Sequence, residues 1–371
     1  MSSRLKVLSV FGTRPEAVKM APIVRQLKET PGVDSRVCVT AQHRQMLDQV
    51  LQLFKIRPDY DLDLMRADQS LAQISAFIFT HLDPVLTDFQ PDWVLVVGDT
   101  TTVVTTSQLA YYRRIKLGHV EAGLRTHNKW HPFPEEINRR IATVIADLHF
   151  APTQWSKGNL LREGVEEKNI IVTGNSVIDA MQFVVRQEEP REITELVKSL
   201  ATGRLVVVTA HRRENFGKPI ENICCALREL ASGGDVEIVY PVHLNPRIQE
   251  PVYRILKDVP HVTLLGPLDY LPMVHLMKHA TLILTDSGGL QEEAPSLGVP
   301  VLVLRETTER PEGIEAGTLK IVGTETDNIV HQATRLLDDP TAYAQMARAI
   351  NPYGDGHAAE RIVEALLGFQ K

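Results

Sequence analysis

Cysteine is scarce in this sequence: its 371 residues hold three, Cys38, Cys224 and Cys225. An odd number with two adjacent is no disulfide framework, and it fits a reducing compartment. Long apolar runs are missing too, so no stretch approaches the roughly 20 residues of a membrane span. The first residues, Met-Ser-Ser-Arg-Leu-Lys, run straight into a strand-like stretch without the charged-then-apolar pattern of a secretory leader. A cytoplasmic location away from any membrane is expected. Positive charge is not in excess either. A formal net charge of −6 argues against nucleic acid as a partner, while leaving room for local phosphate pockets. Low-complexity tracts and internal repeats are lacking as well.

What is present is an ordinary globular composition, 43% hydrophobic and 23% charged, over a length that suits two cores better than one. Short apolar, β-branched runs stand at 6–11, 37–40, 93–98, 116–120, 205–209, 236–240, 282–285 and 299–304. Helix-length amphipathic stretches lie between them, among them 42–54, 70–89, 101–113 and 135–146, the last with Pro132 and Pro134 just outside its start. That alternation spells βαβ units on parallel sheets. The expected fold class is α/β: two Rossmann-like, doubly wound parallel-sheet domains facing a central cleft. The first is expected to span 1–175 and the second 202–356, with a tail helix from 357 to 371 packing back on the first. In such folds ligands bind at the carboxyl ends of strands, so functional residues are sought there.

The stretch Thr285-Asp286-Ser287-Gly288-Gly289 joins a strand to a helix. Small residues let a backbone approach a ligand, and a helix start offers N–H groups and positive potential, which suit a diphosphate. Tight strand–helix packing accounts for the same glycines equally well. Glu292 and Glu293 follow, and a carboxylate there can accept from both hydroxyls of a ribose. At the first strand–helix junction, Gly12-Thr13-Arg14-Pro15-Glu16, Arg14 and Lys19 are cations where the helix dipole alone favours acids. Three acids occupy loop positions: Asp99 and Glu121 at strand ends, and Glu135 at a helix start behind a proline-rigid loop. Singly each could be a cap or a favourable first-turn charge. Jointly they are what proton transfer at carbon requires. His211 follows the first strand of the second domain and could reach a sugar or phosphate. His119 shares a strand face with Glu121 and reads as a buried, hydrogen-bonded histidine. The H-x-E pair lacks further ligands at diagnostic spacing, so neither metal nor cofactor is expected.

Seven segments, in order and covering nearly the whole chain, resemble the non-hydrolysing UDP-N-acetylglucosamine (UDP-GlcNAc) 2-epimerases. They are Val10-Phe11-Gly12-Thr13-Arg14-Pro15-Glu16, Gly98-Asp99-Thr100-Thr101, His119-Val120-Glu121-Ala122-Gly123-Leu124-Arg125, Pro134-Glu135-Glu136, His211-Arg212-Arg213-Glu214, 286–293 and Thr308-Glu309-Arg310-Pro311. The resemblance implies a glycosyltransferase B-like architecture and a catalytic group of Asp99, Glu121, Glu135 and His211. It implies that Arg14, Ser287, Gly288 and Gly289 hold the diphosphate and Glu293 the ribose, with Lys19, Arg139 and Arg310 lining the same site. Leu268 and Met273 become substrate-binding residues. Met273 follows Tyr270-Leu271-Pro272, where relatives often carry an aromatic side chain for uracil, and polarizable Met can also pack on a base. A second, allosteric UDP-GlcNAc site is implied at Gln42, His43, Gln45, Glu136, Arg212 and His243.

The implied reaction interconverts UDP-GlcNAc and UDP-N-acetylmannosamine (UDP-ManNAc) by elimination and re-addition of UDP through 2-acetamidoglucal, in a homodimer serving surface-polysaccharide synthesis. Competing expectations are a hydrolysing 2-epimerase that releases ManNAc and UDP, a glycosyltransferase on the same scaffold, and a UDP-sugar-binding regulator without turnover. Fold alone does not separate them.

Overall fold

The computed structural model describes residues 4–40, 44–64, 66 and 68–369. The chain divides into two compact units, Met1–Ala180 with Tyr353–Lys371, and Met181–Pro352. Each is a doubly wound parallel α/β sheet.

Among the described residues the first unit has seven strands: β1 (Leu5–Phe11), β2 (Val33–Val39), β3 (Tyr60–Asp61), β4 (Trp93–Val97), β5 (Lys116–Val120), β6 (Leu148–Ala151) and β7 (Ile170–Val172). Their spatial order is β3-β2-β1-β4-β5-β6-β7. The central strands β1 and β4, Leu-Lys-Val-Leu-Ser-Val-Phe and Trp-Val-Leu-Val-Val, are buried almost throughout. Helices cover both faces of such a sheet, so its strands are continuous apolar runs rather than alternating ones. The chain moves outward from β1 to β3 and then returns to β4. The β1/β4 boundary is therefore the switch point, where loops at the strand ends diverge and leave a crevice.

The helix Arg14–Glu29 starts at N-cap Thr13 with a capping box to Glu16 and Pro15 in its first turn. Both features favour nucleation at that point. The last helix, Ala358–Gly368, belongs to this unit. Asp179 caps it by accepting from the Ala358 and Ala359 N–H groups at 3.2 and 2.8 Å. The Phe369 ring meets Trp93 edge-on, with centroids 5.2 Å apart.

The second unit contains β8 (Leu205–Thr209), β9 (Glu237–Pro241), β10 (Val262–Leu265), β11 (Leu282–Thr285), β12 (Val301–Val303) and β13 (Leu319–Ile321). Their order is β10-β9-β8-β11-β12-β13, so the switch point lies between β8 and β11. Its core joins Val206 and Val208 of β8 to Leu282 and Leu284 of β11 and to the helix Lys218–Ser232. Among the described residues no helix is long and apolar enough to cross a membrane.

Candidate active site

In the first unit, three loops leave the carboxyl ends of β1, β4 and β5. Glu16 ties two of them together. Its buried Oε2 accepts from the backbone N–H groups of Gly12 and Thr13 at 2.9 and 2.7 Å, and from the Thr13 hydroxyl at 3.0 Å. Its Oε1 accepts from the Thr100 hydroxyl at 2.5 Å. Burial pushes this carboxyl up while the four donors pull it down. An acid does therefore stand in the first turn beside Arg14 and Lys19, and it serves the loops rather than the solvent.

The β4 loop is held from two further sides. Gly98 makes the turn with φ of 79°. His119 Nε2 donates to the Gly98 carbonyl at 2.8 Å, and Asn138 Nδ2 donates to the Asp99 carbonyl at 2.9 Å. Burial pushes His119 down to about 4, so the ring is neutral and that N–H defines its tautomer. His149, its register partner on β6, is pushed down to about 3 by burial.

With the backbone fixed, the Asp99 carboxylate pairs with Arg139 of the helix Glu135–Ile145. It does not cap the helix Thr101–Tyr112, whose N-cap is Thr100. Glu121 is buried and pairs with Lys19. It sits at φ 62°, a left-handed conformation that costs a non-glycine residue of order 1–3 kcal/mol and recurs at functional sites. Glu135 opens its helix half-buried, and its Oε2 is buried with no hydrogen-bond partner among the described residues. Burial raises its proton affinity, Asp99 raises it further, and Arg139 opposes. Asp99, Glu135 and Arg139 therefore share one electrostatic neighbourhood, with the Glu121–Lys19 pair on the flanking β5 loop and first helix. Arg14 stands, partly exposed, at the first position of its helix.

In the second unit, Asp286 at the end of β11 is wholly buried. Its Oδ2 accepts from the His211 and Arg212 N–H groups at 2.8 Å each and from Asn215 Nδ2 at 2.9 Å. The loop after β8 thus hangs on one carboxylate oxygen. Burial lowers His211, the Asp286 charge opposes that, and the His243 and Arg212 charges reinforce it. The His243 ring stacks on His211 with centroids 5.4 Å apart.

Ser287 N-caps the six-residue helix Gly288–Glu293 without a side-chain hydrogen bond. The space at Gly288 is tight for a side chain. A Cβ there would lie 3.3 Å from the Arg310 guanidinium and 3.5 Å from Arg212 Nη2. Two guanidinium groups converge on this turn, which favours an anion. Arg310 also pairs with Glu292 at 2.8 Å and with Glu309 at 3.1 Å, and Arg212 lies 3.7 Å from Glu309. Tyr270 donates its hydroxyl to Glu293 Oε2 at 2.7 Å. Met273 lies partly buried in the helix Tyr270–His279, with Leu268 partly buried just before it.

Of the residues expected from sequence, Asp99, Glu121, Glu135, Lys19 and Arg139 gather in the first unit. His211, Arg212, His243, Ser287, Gly288, Gly289 and Arg310 gather in the second. Gln42 and His43 lie outside the described residues, as does the side chain of Gln45. The Glu136 carboxylate is buried and accepts from the Thr126 and His127 N–H groups at 3.0 and 3.2 Å, a service to the preceding loop. Sequence reasoning found His119 as a buried, hydrogen-bonded histidine without naming the Gly98 carbonyl as its partner, and it missed Glu16 and Asp286 as groups that hold these loops. For Glu16 a signal existed, the Thr13-x-x-Glu16 capping box. For Asp286 and for the partner of His119, no local pattern marks a hydrogen bond to a distant loop. Among the described residues no group of three or more His, Cys, Asp or Glu side chains could hold a metal ion.

Paired parallel sheets with acids at one switch point and a cationic glycine turn at the other define a glycosyltransferase B-like protein. Residues 25–367 match the sequence model of a family described as UDP-N-acetylglucosamine 2-epimerase. The chain is 56% identical over 375 residues to the UDP-N-acetylglucosamine 2-epimerase of Yersinia pestis, covering 99% of each. It is 54% identical over 371 residues to that of Escherichia coli K12, covering 98% of each. The crystal structure of the Neisseria meningitidis UDP-GlcNAc 2-epimerase bound to UDP-GlcNAc superposes with a TM-score of 0.90 at 50% identity, covering 98% of this chain and 100% of that one. The chain belongs to the UDP-N-acetylglucosamine 2-epimerase family.

Proposed function

We propose that the protein interconverts UDP-GlcNAc and UDP-ManNAc without net hydrolysis, needing neither metal nor redox cofactor. A base removes the C2 proton as the C1–O bond to UDP breaks, giving 2-acetamidoglucal and UDP. UDP then adds back at C1 while C2 receives a proton on its other face. The observation that carries this reading is the set of three carboxylates, Asp99, Glu121 and Glu135, at the ends of β4 and β5 and the adjoining helix start, with Arg139 and Lys19 paired among them. Inversion at carbon needs proton transfer on two faces, which one carboxylate in a fixed position does not provide. Glu135, whose proton affinity is raised by burial and by Asp99, suits the role of a proton donor.

Arg14, Arg310 and the turn 287–289 stabilise the negative charge on the departing diphosphate, an electrostatic contribution. His211 contacts the sugar or phosphate, Glu293 takes the ribose, and Leu268 and Met273 pack on the base. A second UDP-GlcNAc acts as activator at Gln42, His43, Gln45, Glu136, Arg212 and His243. The protein works as a cytoplasmic homodimer supplying UDP-ManNAc for surface polysaccharide.

Incubation with UDP-GlcNAc in D2O, followed by proton NMR, tests the reading. UDP-ManNAc carrying deuterium at C2 is expected. Free ManNAc with UDP would identify a hydrolase, and an unchanged spectrum a binding protein.

A further inference from the structure

The other oxygen of Asp286 has no assigned work. Oδ2 takes three N–H donors, whereas Oδ1 is buried with no hydrogen-bond partner among the described residues. An unsatisfied buried carboxylate oxygen is costly, so it marks an acceptor aimed at something. The nearest ionisable donor is His211 Nδ1, 3.5 Å away, just beyond a formed hydrogen bond. The ring is also restrained on its face by the parallel His243 ring, interplanar angle 11°. Asp286 is fully buried and fixed by three hydrogen bonds, while the His211 side chain is 39% exposed. The pair thus has a rigid anchor and a ring open to a ligand.

We propose that Asp286 is a positioning residue for His211: Oδ1 accepts the Nδ1–H, fixes that tautomer, and stabilises the imidazolium once Nε2 has taken a proton. This rests on the reading above that His211 meets the sugar or diphosphate. Nε2 is then the nitrogen that faces the reaction, as acceptor when the ring is neutral and as charged donor to phosphate oxygen when it is protonated. Of the charges acting on the ring among the described residues, His243 and Arg212 oppose protonation and Asp286 favours it. The same division of labour, a buried carboxylate holding a histidine in one tautomer, operates in the catalytic triads of serine hydrolases.

The discriminating variant is Asp286→Asn. Its amide oxygen can keep the three N–H donors of the 211–215 loop, so the fold is retained. Its NH2 then faces Nδ1 and forces the opposite, Nε2–H tautomer. Histidine 15N NMR of the resting protein, with the His211 signals assigned from His211→Gln, is expected to show Nδ1–H in the parent and Nε2–H in Asp286→Asn. With UDP-GlcNAc as substrate, kcat is expected to fall by about 10²-fold or more while KM changes only a few-fold. The pH–rate limb belonging to His211 should move to lower pH, because the charge favouring its protonated form is gone. A parent protein in the Nε2–H tautomer overturns the proposal, as does an Asn variant with unchanged tautomer and kcat. A purely structural role for Asp286 would lower stability or raise KM without moving the tautomer. If Asp286→Asn does not fold, the parent's tautomer decides alone. That measurement needs no turnover, so a correct tautomer in a protein that fails to epimerise refutes the reaction assignment and leaves the dyad standing.

Discussion

Replacing Asp99 by Asn removes a charge while leaving its backbone anchors in place. The loop stays pinned by His119 donating to the Gly98 carbonyl and Asn138 donating to the Asp99 carbonyl. Arg139, however, loses its partner. Its side chain is 11% exposed and that of Asp99 18%, so the pair is neither fully buried nor freely solvated. Breaking a fully buried pair costs about 3–5 kcal/mol and an exposed one about 0–1. Roughly 2 kcal/mol is expected here, or a fall in Tm of about 4–8 °C for a unit of this size. The larger effect is expected on rate, about 10²–10⁴-fold in kcat, the usual contribution of a proton-transfer group. Glu135 reports on the same change. Its proton affinity, raised mainly by burial, is raised further by Asp99 and lowered by Arg139. With the acid gone and Arg139 unpaired, the Glu135 limb of the pH–rate profile should move to lower pH. The assay is epimerisation of UDP-GlcNAc across pH, paired with thermal melts of the same preparations. A near-parental kcat, or a rate loss fully accounted for by unfolded protein, would refute the reasoning.

Acid should destabilise the first unit through its buried histidines. Both bind protons more weakly when folded, at about 4 for His119 and about 3 for His149, so stability is full above about 6.5 and is lost as pH falls toward these values. Melts of His119→Gln should show a flatter decline over that window, and a decline identical to the parent's would exclude His119 as a source. Gly288→Ala places a methyl 3.3 Å from the Arg310 guanidinium. KM for UDP-GlcNAc should rise roughly tenfold, about 1.4 kcal/mol, with the melt unchanged; an unaltered KM removes the turn from the binding site. Pure UDP-ManNAc should turn over slowly until trace UDP-GlcNAc is added, with a coupling of about 1–3 kcal/mol, and His243→Ala should blunt that activation. Progress curves that are linear from time zero and indifferent to added UDP-GlcNAc would end the allosteric reading.

The central strands were legible because burial on both faces writes them as unbroken apolar runs, as in β1, β4, β8 and β11. The edges were not. Tyr60–Asp61 is two residues long, Leu319–Ile321 carries a lysine in its middle, and Val262–Leu265 is only half-buried along its length. Short or half-covered strands lack the length that periodicity needs. In the candidate site the acids could be read from position alone, because strand ends and helix starts are visible in sequence. Their holders could not, apart from the capping box that marks Glu16. Glu16 reaches Thr100 across 84 residues and Asp286 reaches His211 across 75. A buried carboxylate that organises loops resembles any other acid until the fold brings its donors to it.

The last helix carries a consequence for how this chain is made. Ala358–Gly368 lies in the segment Tyr353–Lys371 of the first unit, whose earlier segment ends at Ala180. The ribosome therefore releases most of that unit early and its closing strap last. At about 5–20 residues per second, the intervening stretch takes on the order of 10–40 s to synthesise. Throughout that interval Trp93 lacks the Phe369 ring that packs on it, and Asp179 lacks the two N–H groups it caps. The second unit is one uninterrupted stretch, complete as soon as Pro352 has emerged. The first to be translated is thus the last to be finished, and nascent chains stalled before residue 358 are the species that chaperones would meet.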